Sequence, residues 1–452
     1  MSTGQFGRLT DPPASFLLRA VRLIDPNDGS DGPRDLAIVD GFISDPALLP
    51  PGAERIDATS LVAAPGFCDL HTHLREPGDE GAETIGSGAR AAAHGGFTTV
   101  CAMPNTEPPL DEPARISWVR DQAREAACRV RVVGAVSADR RGESLADLAA
   151  MAEAGAVAFS DDGAALPSPR LARAALTYLG GLGIPLFEHA EEVRLAAGGV
   201  MRAGPTASRL GLSGWRASAE LTIVERDIAL AAETGARLHL THLSTAPALD
   251  AVRRARARGL PVTCDVTPHH LALTDAWVAG SRRFAWEDDP EEAGLDPDRA
   301  YDGRCRVNPP LGSREDALAL LARLADGTVD AITTDHAPHP TNRKLVPFDD
   351  AAPGLIGLET ALSLGLAAVA AGRVELATLV AALSIRPAEI IGERRSLAFG
   401  EAADLVVFDP AARWRVEASA LASGSANTPL LGMELPGVVR MTVAEGRVTY
   451  RA

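Results

Sequence analysis

Positive charge is scarce in this chain, and lysine is almost absent. Of its 452 residues, 60 are Asp or Glu and 44 are Lys or Arg, which gives a formal net charge of −16; Lys344 is the only lysine. Nucleic acids and anionic membrane surfaces attract positively charged proteins, so this balance argues against both. We therefore expect neither a nucleic acid nor a membrane as partner.

Long apolar segments and paired cysteines are missing as well. No apolar run approaches the roughly 18 residues of a membrane-spanning helix, and the N-terminal segment lacks the charged start and apolar centre of a secretion signal. We therefore expect a cytoplasmic protein. The cysteines are odd in number and widely spaced, mostly within apolar segments, which predicts reduced core residues instead of disulfides. They are Cys68, Cys101, Cys128, Cys264 and Cys305.

The middle of the chain alternates between two kinds of segment. From residue 65 to residue 397, short β-branched segments are separated by Ala-, Leu- and Arg-rich segments of helical period. Eight such pairs predict a (β/α)₈ TIM barrel, an α/β fold. The candidate strands are GFCDL, TTVCAM, VRVVGAV, AVAFS, IPLFEHA, RLHLTHL, PVTCDV and VDAITTD.

The two ends of the chain differ from the middle. Residues 1–64 and 398–452 alternate short apolar stretches with Gly, Pro and Asp turns, which predicts one small β domain built from both ends. Within the barrel region, residues 281–303 carry eight acidic residues and no apolar period. We expect that segment to be a solvated surface loop between strands seven and eight.

Histidines are concentrated where the predicted strands end. In a parallel barrel all these ends emerge on one face, so side chains far apart in sequence meet there. Of the other four histidines, His269 and His270 suit a supporting role or a helix start as well as ligation, and His94 and His239 are predicted to be structural. The six at strand ends are His71, His73, His189, His242, His336 and His339.

The sharpest local pattern is the pair His71-x-His73. Alternate residues of an extended strand point the same way, so both imidazoles can face one ion. His189, His242 and Asp335 lie on separate strand ends and would join them. Imidazoles together with carboxylates are the ligands zinc prefers, although manganese or cobalt could also bind.

A metal of this kind suits hydrolysis. Zinc lowers the pKa of a bound water and polarises a carbonyl, and a nearby carboxylate must carry the proton to the leaving nitrogen. Asp335 is the candidate for that role, and no nucleophile-elbow motif favours a serine mechanism. Arg75 can hold a substrate carboxylate in a two-bond fork, with a surface salt bridge as the alternative. Asn105 and Asn308 lie beside prolines and can present amides, or can simply form turns.

Several motifs together identify a family. PGFCDLHTHLREPG, AMPNTEPPLD, FSDDG, FEHAEE, LHLTHLST, CDVTPHHLALTD, RVNPPLGSREDALAL and DAITTDHAPH resemble the successive motifs of class I dihydroorotases in the amidohydrolase superfamily. The resemblance runs from about residue 35 to the end. It implies the reversible cyclisation of N-carbamoyl-L-aspartate to L-dihydroorotate, the third step of pyrimidine synthesis.

The resemblance also implies a metal arrangement, with two zinc ions favoured over one. One zinc would lie on His71, His73 and Asp335, the other on His189 and His242, with a carboxylate between them. Strand alternation sends the side chains of Asp161 and Asp162 in opposite directions, so only one can bridge. We choose Asp162, which lies 27 residues before His189 as the family spacing requires, and expect Asp161 to cap a strand or support the ligands.

The same resemblance implies the substrate contacts. Arg75, Asn105 and His339 would bind the substrate carboxylate, His73 would also touch the substrate, and Asn308 with the backbone of Pro353 and Gly354 would contact the ring. The chain departs from the family at residues 353–357, where PGLIG replaces the usual Phe-Gly pair, and in the length of the acidic segment.

Two alternatives stay open. Hydantoinases and allantoinases share the barrel and the His-x-His pair but carry a carbamylated lysine at the end of strand four, where this chain has Ser160-Asp161-Asp162. A non-catalytic dihydroorotase-like partner of aspartate transcarbamoylase would keep the barrel and lose the ligands. For the enzyme itself we expect a homo-oligomer, possible association with aspartate transcarbamoylase, and a small-molecule substrate.

Overall fold

Eight parallel strands form the centre of the molecule. The computed structural model describes residues 4–287 and 294–452. The strands pair in chain order, and a parallel bridge from Thr72 to His336 closes the ring between the last strand and the first. The strands are β1 Phe67–Thr72, β2 Phe97–Ala102, β3 Arg129–Gly134, β4 Ala156–Phe159, β5 Leu186–Glu188, β6 Leu238–Leu240, β7 Val262–Val266 and β8 Ala331–Ile332. The predicted barrel and all eight candidate strands are confirmed.

Helices connect consecutive strands, as parallel pairing requires. Side-chain caps begin several of them; Thr84 and Ser313 each form a reciprocal capping box with the residue three positions on. The longer helices are Ile85–His94, Pro113–Gln122, Leu148–Glu153, Pro169–Leu182, Pro205–Leu210, Ala217–Thr234, Ala246–Ala257, Arg314–Ala325, Ala361–Ala370, Leu376–Leu383 and Ile385–Ile390. Shorter helices are Val193–Ala196, Pro268–Ala272 and Thr341–Lys344. None of the helices in the described ranges is long and apolar enough to cross a membrane.

Both ends of the chain contribute to one nine-stranded sheet. Its central junction is antiparallel pairing of Val62–Pro65 with the start of Leu405–Arg415. The last two strands form a hairpin, in which Glu434–Ala444 pairs antiparallel with Arg447–Arg451. The other strands are Gln5–Phe6, Phe16–Asp25, Ser30–Val39, Phe42–Ser44 and Glu54–Asp57. The β domain is therefore built from both ends, whereas its limits at residues 64 and 398 stay a prediction.

Apolar packing accounts for all the cysteines. The five are free and buried, as predicted. Cys68 belongs to a cluster that also contains Leu70, Val133 and Phe187, which lie on the alternate strands β1, β3 and β5. Burial raises the pKa of the Cys68 thiol to about 12, so it stays protonated and chemically quiet.

The acidic segment is not wholly a solvated loop. Residues 288–293 lie outside the described part of the chain. Before them, Phe284 stacks on Trp277 with ring centroids 6.2 Å apart and also contacts Trp286, and both tryptophans are buried. The prediction is wrong for this first part, because the aromatic residues bury more apolar area than the surrounding charges suggest.

Candidate metal centre and substrate site

The carboxylate of Asp162 lies at the centre of the histidine cluster. Its Oδ1 is 3.2 Å from His71 Nε2 and 3.5 Å from both His189 Nδ1 and His242 Nε2. Its Oδ2 is 3.6 Å from His73 Nε2. One carboxylate thus faces four imidazoles that come from the ends of three strands.

Asp335 lies on the other side of the histidine pair. Its Oδ1 is 3.1 Å from His73 Nε2 and 3.6 Å from His71 Nε2. The backbone of Asp335 is left-handed, with φ of 46°, and so is that of His242, with φ of 39°. Non-glycine residues seldom adopt this conformation, and such strain is concentrated at functional sites.

The donor atoms fit a metal. Two overlapping sets, His71 with His73 and Asp335, and His71 with Asp162 and His242, each place their ligand atoms within 4.8 Å of one another. Within the described residues, neither ring nitrogen of His71 nor Asp162 Oδ1 has a hydrogen-bond partner, although all are buried. Buried polar atoms normally have partners, so a cation between them would satisfy atoms that the protein leaves unpaired.

The charges in the cluster depend on one another. Burial acts against a charged His71, but Asp162 and Asp335 outweigh it and raise the pKa of His71 to about 9. Burial likewise acts against a charged His189, and Asp162 with Glu191 raises its pKa to about 10. The pKa of Asp335 stays below its ordinary value because His73 and His71 outweigh the effect of burial. The carboxylates are therefore anionic, as metal ligands must be.

A surrounding layer of carboxylates fixes the ligand-bearing strands. Asp69 accepts hydrogen bonds from the backbone of His71 at 3.1 Å and of Thr334 at 3.0 Å, which ties β1 to the end of β8. Asp265 accepts from the His242 backbone at 2.6 Å and pairs with His239 Nε2 at 2.8 Å. Such outer contacts orient metal ligands.

Four of the other histidines have partners outside the cluster. His239 pairs with Asp265, and His94 with Glu359, in agreement with their predicted structural roles. His270 contacts the Pro309 carbonyl at 2.9 Å. His336, although it follows β8, contacts Glu83 at 3.2 Å instead of facing the ligands.

The two aspartates after β4 point in opposite directions, as strand alternation requires. Asp161 accepts hydrogen bonds from the backbone of Val136 at 2.9 Å and of Ser137 at 3.0 Å, beyond the end of β3. Asp162 faces the imidazoles. Asp161 therefore caps the backbone beyond β3, and Asp162 is the aspartate that faces the cluster, whereas its role as a bridge between two ions stays a prediction.

Arg75 is a half-buried cation without an anionic partner. Its Nε donates to the Pro338 carbonyl at 3.2 Å, and its Nη2 lies 3.4 Å from His339 Nε2. In the described ranges no carboxylate forms an ion pair with it, which argues against the alternative of a surface salt bridge. Burial lowers the pKa of Arg75, although the charges of Asp335, Asp79 and Asp162 act against this effect. A half-buried cation that no carboxylate of the described residues pairs with suits a carboxylate ligand.

The other predicted substrate residues surround the cluster. Asn105 Oδ1 lies 2.8 Å from His73 Nδ1, and His339 Nε2 lies 2.9 Å from the Pro353 carbonyl. Burial, reinforced by Arg75, lowers the pKa of His339 to about 3, so its ring is neutral. A neutral ring next to a cation can orient a ligand without repelling it.

A small cavity adjoins these residues. Its volume is about 190 Å³, and Glu191, Asn308 and Pro353 line it. Asn308 Nδ2 donates to Glu191 Oε2 at 2.8 Å. The backbone groups of Gly354 are already engaged: the N–H donates to the Arg306 carbonyl at 2.9 Å, and the carbonyl accepts from Lys344.

Sequence reasoning missed three residues around the site. Glu191 Oε2 is 3.3 Å from His189 Nε2, the ring nitrogen that faces away from Asp162. The sequence offers one indication of this role, which is that Glu191 lies two residues after the candidate ligand His189. Asn427 accepts from the His339 backbone at 3.0 Å and lies so far along the chain that no local pattern indicates it. The only unusual feature of Lys344 in the sequence is that it is the single lysine of the chain.

Similar proteins share the fold over nearly the whole chain. An L-hydantoinase from Arthrobacter aurescens superimposes with a TM-score of 0.81 at 24% identity, covering 96% of both chains. A dihydropyrimidinase from Brevibacillus agri gives 0.78 at 21% identity, covering 96% of this chain and 94% of that one. At such low identity the likeness concerns the fold alone. Barrel, β domain and histidine–aspartate cluster together define a TIM-barrel protein with a candidate metal centre at the ends of its strands.

Relatives that are similar in sequence define the family of this chain more closely than the fold does. The family model described as dihydro-orotase-like matches residues 60–247. The chain is 46% identical over 434 residues to a dihydroorotase of Anaeromyxobacter dehalogenans, covering 95% of this chain and 96% of that protein. It is 41% identical over 443 residues to a dihydroorotase of Citrifermentans bemidjiense, covering 97% and 100%. The chain belongs to the dihydroorotase family.

Proposed function

We propose that this chain is a zinc-dependent dihydroorotase that interconverts N-carbamoyl-L-aspartate and L-dihydroorotate, with release or uptake of water, in pyrimidine synthesis. The observation that carries the proposal is the pairing of two features: a carboxylate held among four imidazoles, and beside them the unpaired cation of Arg75. The first suits cyclic-amide hydrolysis, and the second selects a substrate with a carboxylate.

The ligand cluster would hold zinc. His71, His73 and Asp335 would bind one ion, His189 and His242 a second, and Asp162 would lie between them. Bound zinc supplies a hydroxide at neutral pH and polarises the amide carbonyl. Nitrogen and carboxylate donors without thiolates suit zinc, and two ions are favoured because Asp162 contacts both histidine pairs.

Asp335 would carry the proton during ring opening. Its carboxylate is buried and anionic and lies beside the histidine pair, so it can accept a proton from the attacking water and deliver it to the ring nitrogen that leaves. In the reverse direction the same oxygen would take the proton from the carbamoyl nitrogen. The single acceptor therefore serves both directions.

The substrate would be oriented from two sides. Arg75, Asn105 and His339 would bind its carboxylate, and His73, whose Nδ1 contacts Asn105, would lie against the reacting end. Asn308 and the backbone at Pro353 would contact the ring across the small cavity. Gly354, whose N–H and carbonyl are engaged by Arg306 and Lys344, would hold that backbone in place instead of binding the ring. Binding at both ends fixes the scissile bond, which is the main gain from positioning.

The chemistry of the substrates separates the alternatives. Hydantoin and allantoin carry no carboxylate, so neither would compensate the charge of Arg75. The hydantoinase lysine is also absent, since Lys344 is the only lysine and lies after β8. A non-catalytic partner of aspartate transcarbamoylase would have no need of six intact ligands in contact with one another.

One set of assays tests the proposal. Purified protein is analysed for metal and then assayed with L-dihydroorotate, hydantoin and allantoin. We expect one to two zinc ions per chain and turnover of L-dihydroorotate only, lost on chelation and restored by zinc. The proposal would be contradicted if the protein hydrolysed hydantoin but not L-dihydroorotate. It would also be contradicted if zinc-loaded protein turned over none of the three compounds. Cytoplasmic location, homo-oligomerisation and association with aspartate transcarbamoylase stay predictions.

A further inference from the structure

Lys344 is buried although it is the only lysine of the chain. Its side chain is 2% exposed, and its ammonium has no carboxylate partner among the described residues. Instead Nζ donates to three backbone carbonyls: Arg306 at 3.1 Å, Ala352 at 2.6 Å and Gly354 at 2.8 Å. Burial lowers the pKa of Lys344 to about 7, because a buried cation is costly. The three carbonyls can accept from all three donors of its charged form.

The three carbonyls belong to two loops that border the small cavity. Arg306 precedes Asn308 by two residues in the loop after β7, whereas Ala352 and Gly354 flank Pro353 in the loop after β8. The Gly354 N–H also donates to the Arg306 carbonyl at 2.9 Å, so the loops are joined directly as well as through the ammonium. Lys344 therefore connects two of the segments that line the cavity, at Asn308 and Pro353, whereas residues 191–200 line its remaining side.

The fit at this position is close. Gly354 has φ of 130°, and a Cβ placed on it would lie 2.6 Å from Ala337 Cβ and 3.2 Å from His339 Nε2. The loop thus packs directly on the ring of His339, which also contacts the Pro353 carbonyl. A shift of the Gly354 carbonyl would disturb both His339 and the cavity wall.

The geometry explains why arginine does not serve here. An ammonium directs three donors outwards from one small atom, whereas a guanidinium presents its donors in a flat fork. Three carbonyls around one point suit the ammonium only. Every other Lys or Arg position of the chain is arginine, so this is the one place where the compact cation is kept.

We propose that Lys344 is a positioning residue for the cyclic substrate, which holds the Asn308 and Pro353 walls of the cavity in the arrangement that binds the ring. The inference rests on the proposed function, because it takes the cavity as the ring site. Lys344 does not touch the metal ligands. Its loss should therefore weaken substrate binding and leave metal content unchanged.

The single lysine permits a direct test in the unsubstituted protein. Zinc-loaded enzyme labelled with ¹³C,¹⁵N-lysine gives one lysine side-chain resonance in NMR spectra. We expect this resonance to shift when the equilibrium mixture of L-dihydroorotate and N-carbamoyl-L-aspartate saturates the enzyme, and to stay in place with hydantoin. An unmoved resonance in an enzyme that turns over the mixture would overturn the inference, whereas absence of turnover would instead overturn the proposed function.

Variants provide a second readout. Lys344→Met keeps the length and removes the donors, and Lys344→Arg keeps the charge. Because hydrogen bonds from a charged group are lost, we expect each to raise KM for L-dihydroorotate by about 10- to 100-fold, with a much smaller change in kcat and unchanged zinc content. Arg343→Ala, which removes the neighbouring exposed cation, is the matched control and should change KM less than about twofold. Unchanged KM in Lys344→Met, or full function in Lys344→Arg, would refute the role; if neither variant folds, the NMR result decides.

Discussion

Replacing Arg75 with lysine tests the substrate site most sharply. The guanidinium is held by the Pro338 carbonyl at 3.2 Å and lies next to His339, and no carboxylate in residues 4–287 or 294–452 pairs with it. Lysine keeps the charge but provides one point donor instead of a planar pair. A hydrogen bond between charged groups contributes about 1.5–3 kcal/mol, so losing one of two should raise KM for L-dihydroorotate by about 10- to 100-fold. The backbone at this position has φ of 61°, which lysine tolerates as well or as poorly as arginine.

The assay separates binding from folding and from metal loss. KM and kcat are measured in both directions on zinc-loaded protein. The zinc content per chain is measured before and after these assays. Zinc content should not change, because the guanidinium of Arg75 contacts the Pro338 carbonyl and His339, and neither is a proposed metal ligand. Arg343→Lys is the control: its ion pair with Asp79 at 2.6 Å is at the surface and should contribute at most about 1 kcal/mol. An Arg75→Lys enzyme with the KM of the unsubstituted protein would refute the reasoning.

Three further substitutions test the remaining roles. Asp335→Asn should reduce turnover in both directions by about a thousandfold or more, since it removes a proton carrier and a metal ligand together; a tenth of the original rate would contradict this. His339→Ala should raise KM without loss of zinc, and zinc loss measured by metal analysis would make it a ligand instead. Asp162→Ala should lose both zinc and activity. The unsubstituted apoprotein should regain activity when zinc alone is added. If reconstitution also required bicarbonate, a carbamylated lysine and not Asp162 would bridge the metals.

The parts of the fold that depend on short-range patterns could be predicted from the sequence. The eight strands are β-branched segments between helical ones, and a parallel barrel brings their ends together. The convergence of the candidate ligands His71, His189 and Asp335 therefore follows from topology. Alternation fixed that Asp161 and Asp162 must diverge. Alternation does not tell which of the two side chains points inward. The choice of Asp162 therefore depends on the spacing to His189 that the family shows.

Other features depend on which loops become neighbours. Lys344 joins the loops after β7 and β8, and Asn427 reaches His339 from the β-domain end of the chain, and no local pattern specifies such contacts. The packing of Phe284 between Trp277 and Trp286 was missed for a different reason. The acidic residues of that segment predict a solvated loop, but contacts among three aromatic residues are enough to bury its first part.

The sheet shared by the two ends of the chain bears on the order of events during synthesis on the ribosome. Val62–Pro65 emerges early, but its partner strand, Leu405–Arg415, is made more than three hundred residues later. Until then one edge of the N-terminal strands has unpaired backbone groups, which readily recruit strands of other molecules. The barrel helices can form meanwhile, since their contacts are more local. Nascent chains stalled before residue 405 should therefore aggregate through this open edge, whereas chains released beyond residue 451 can close it.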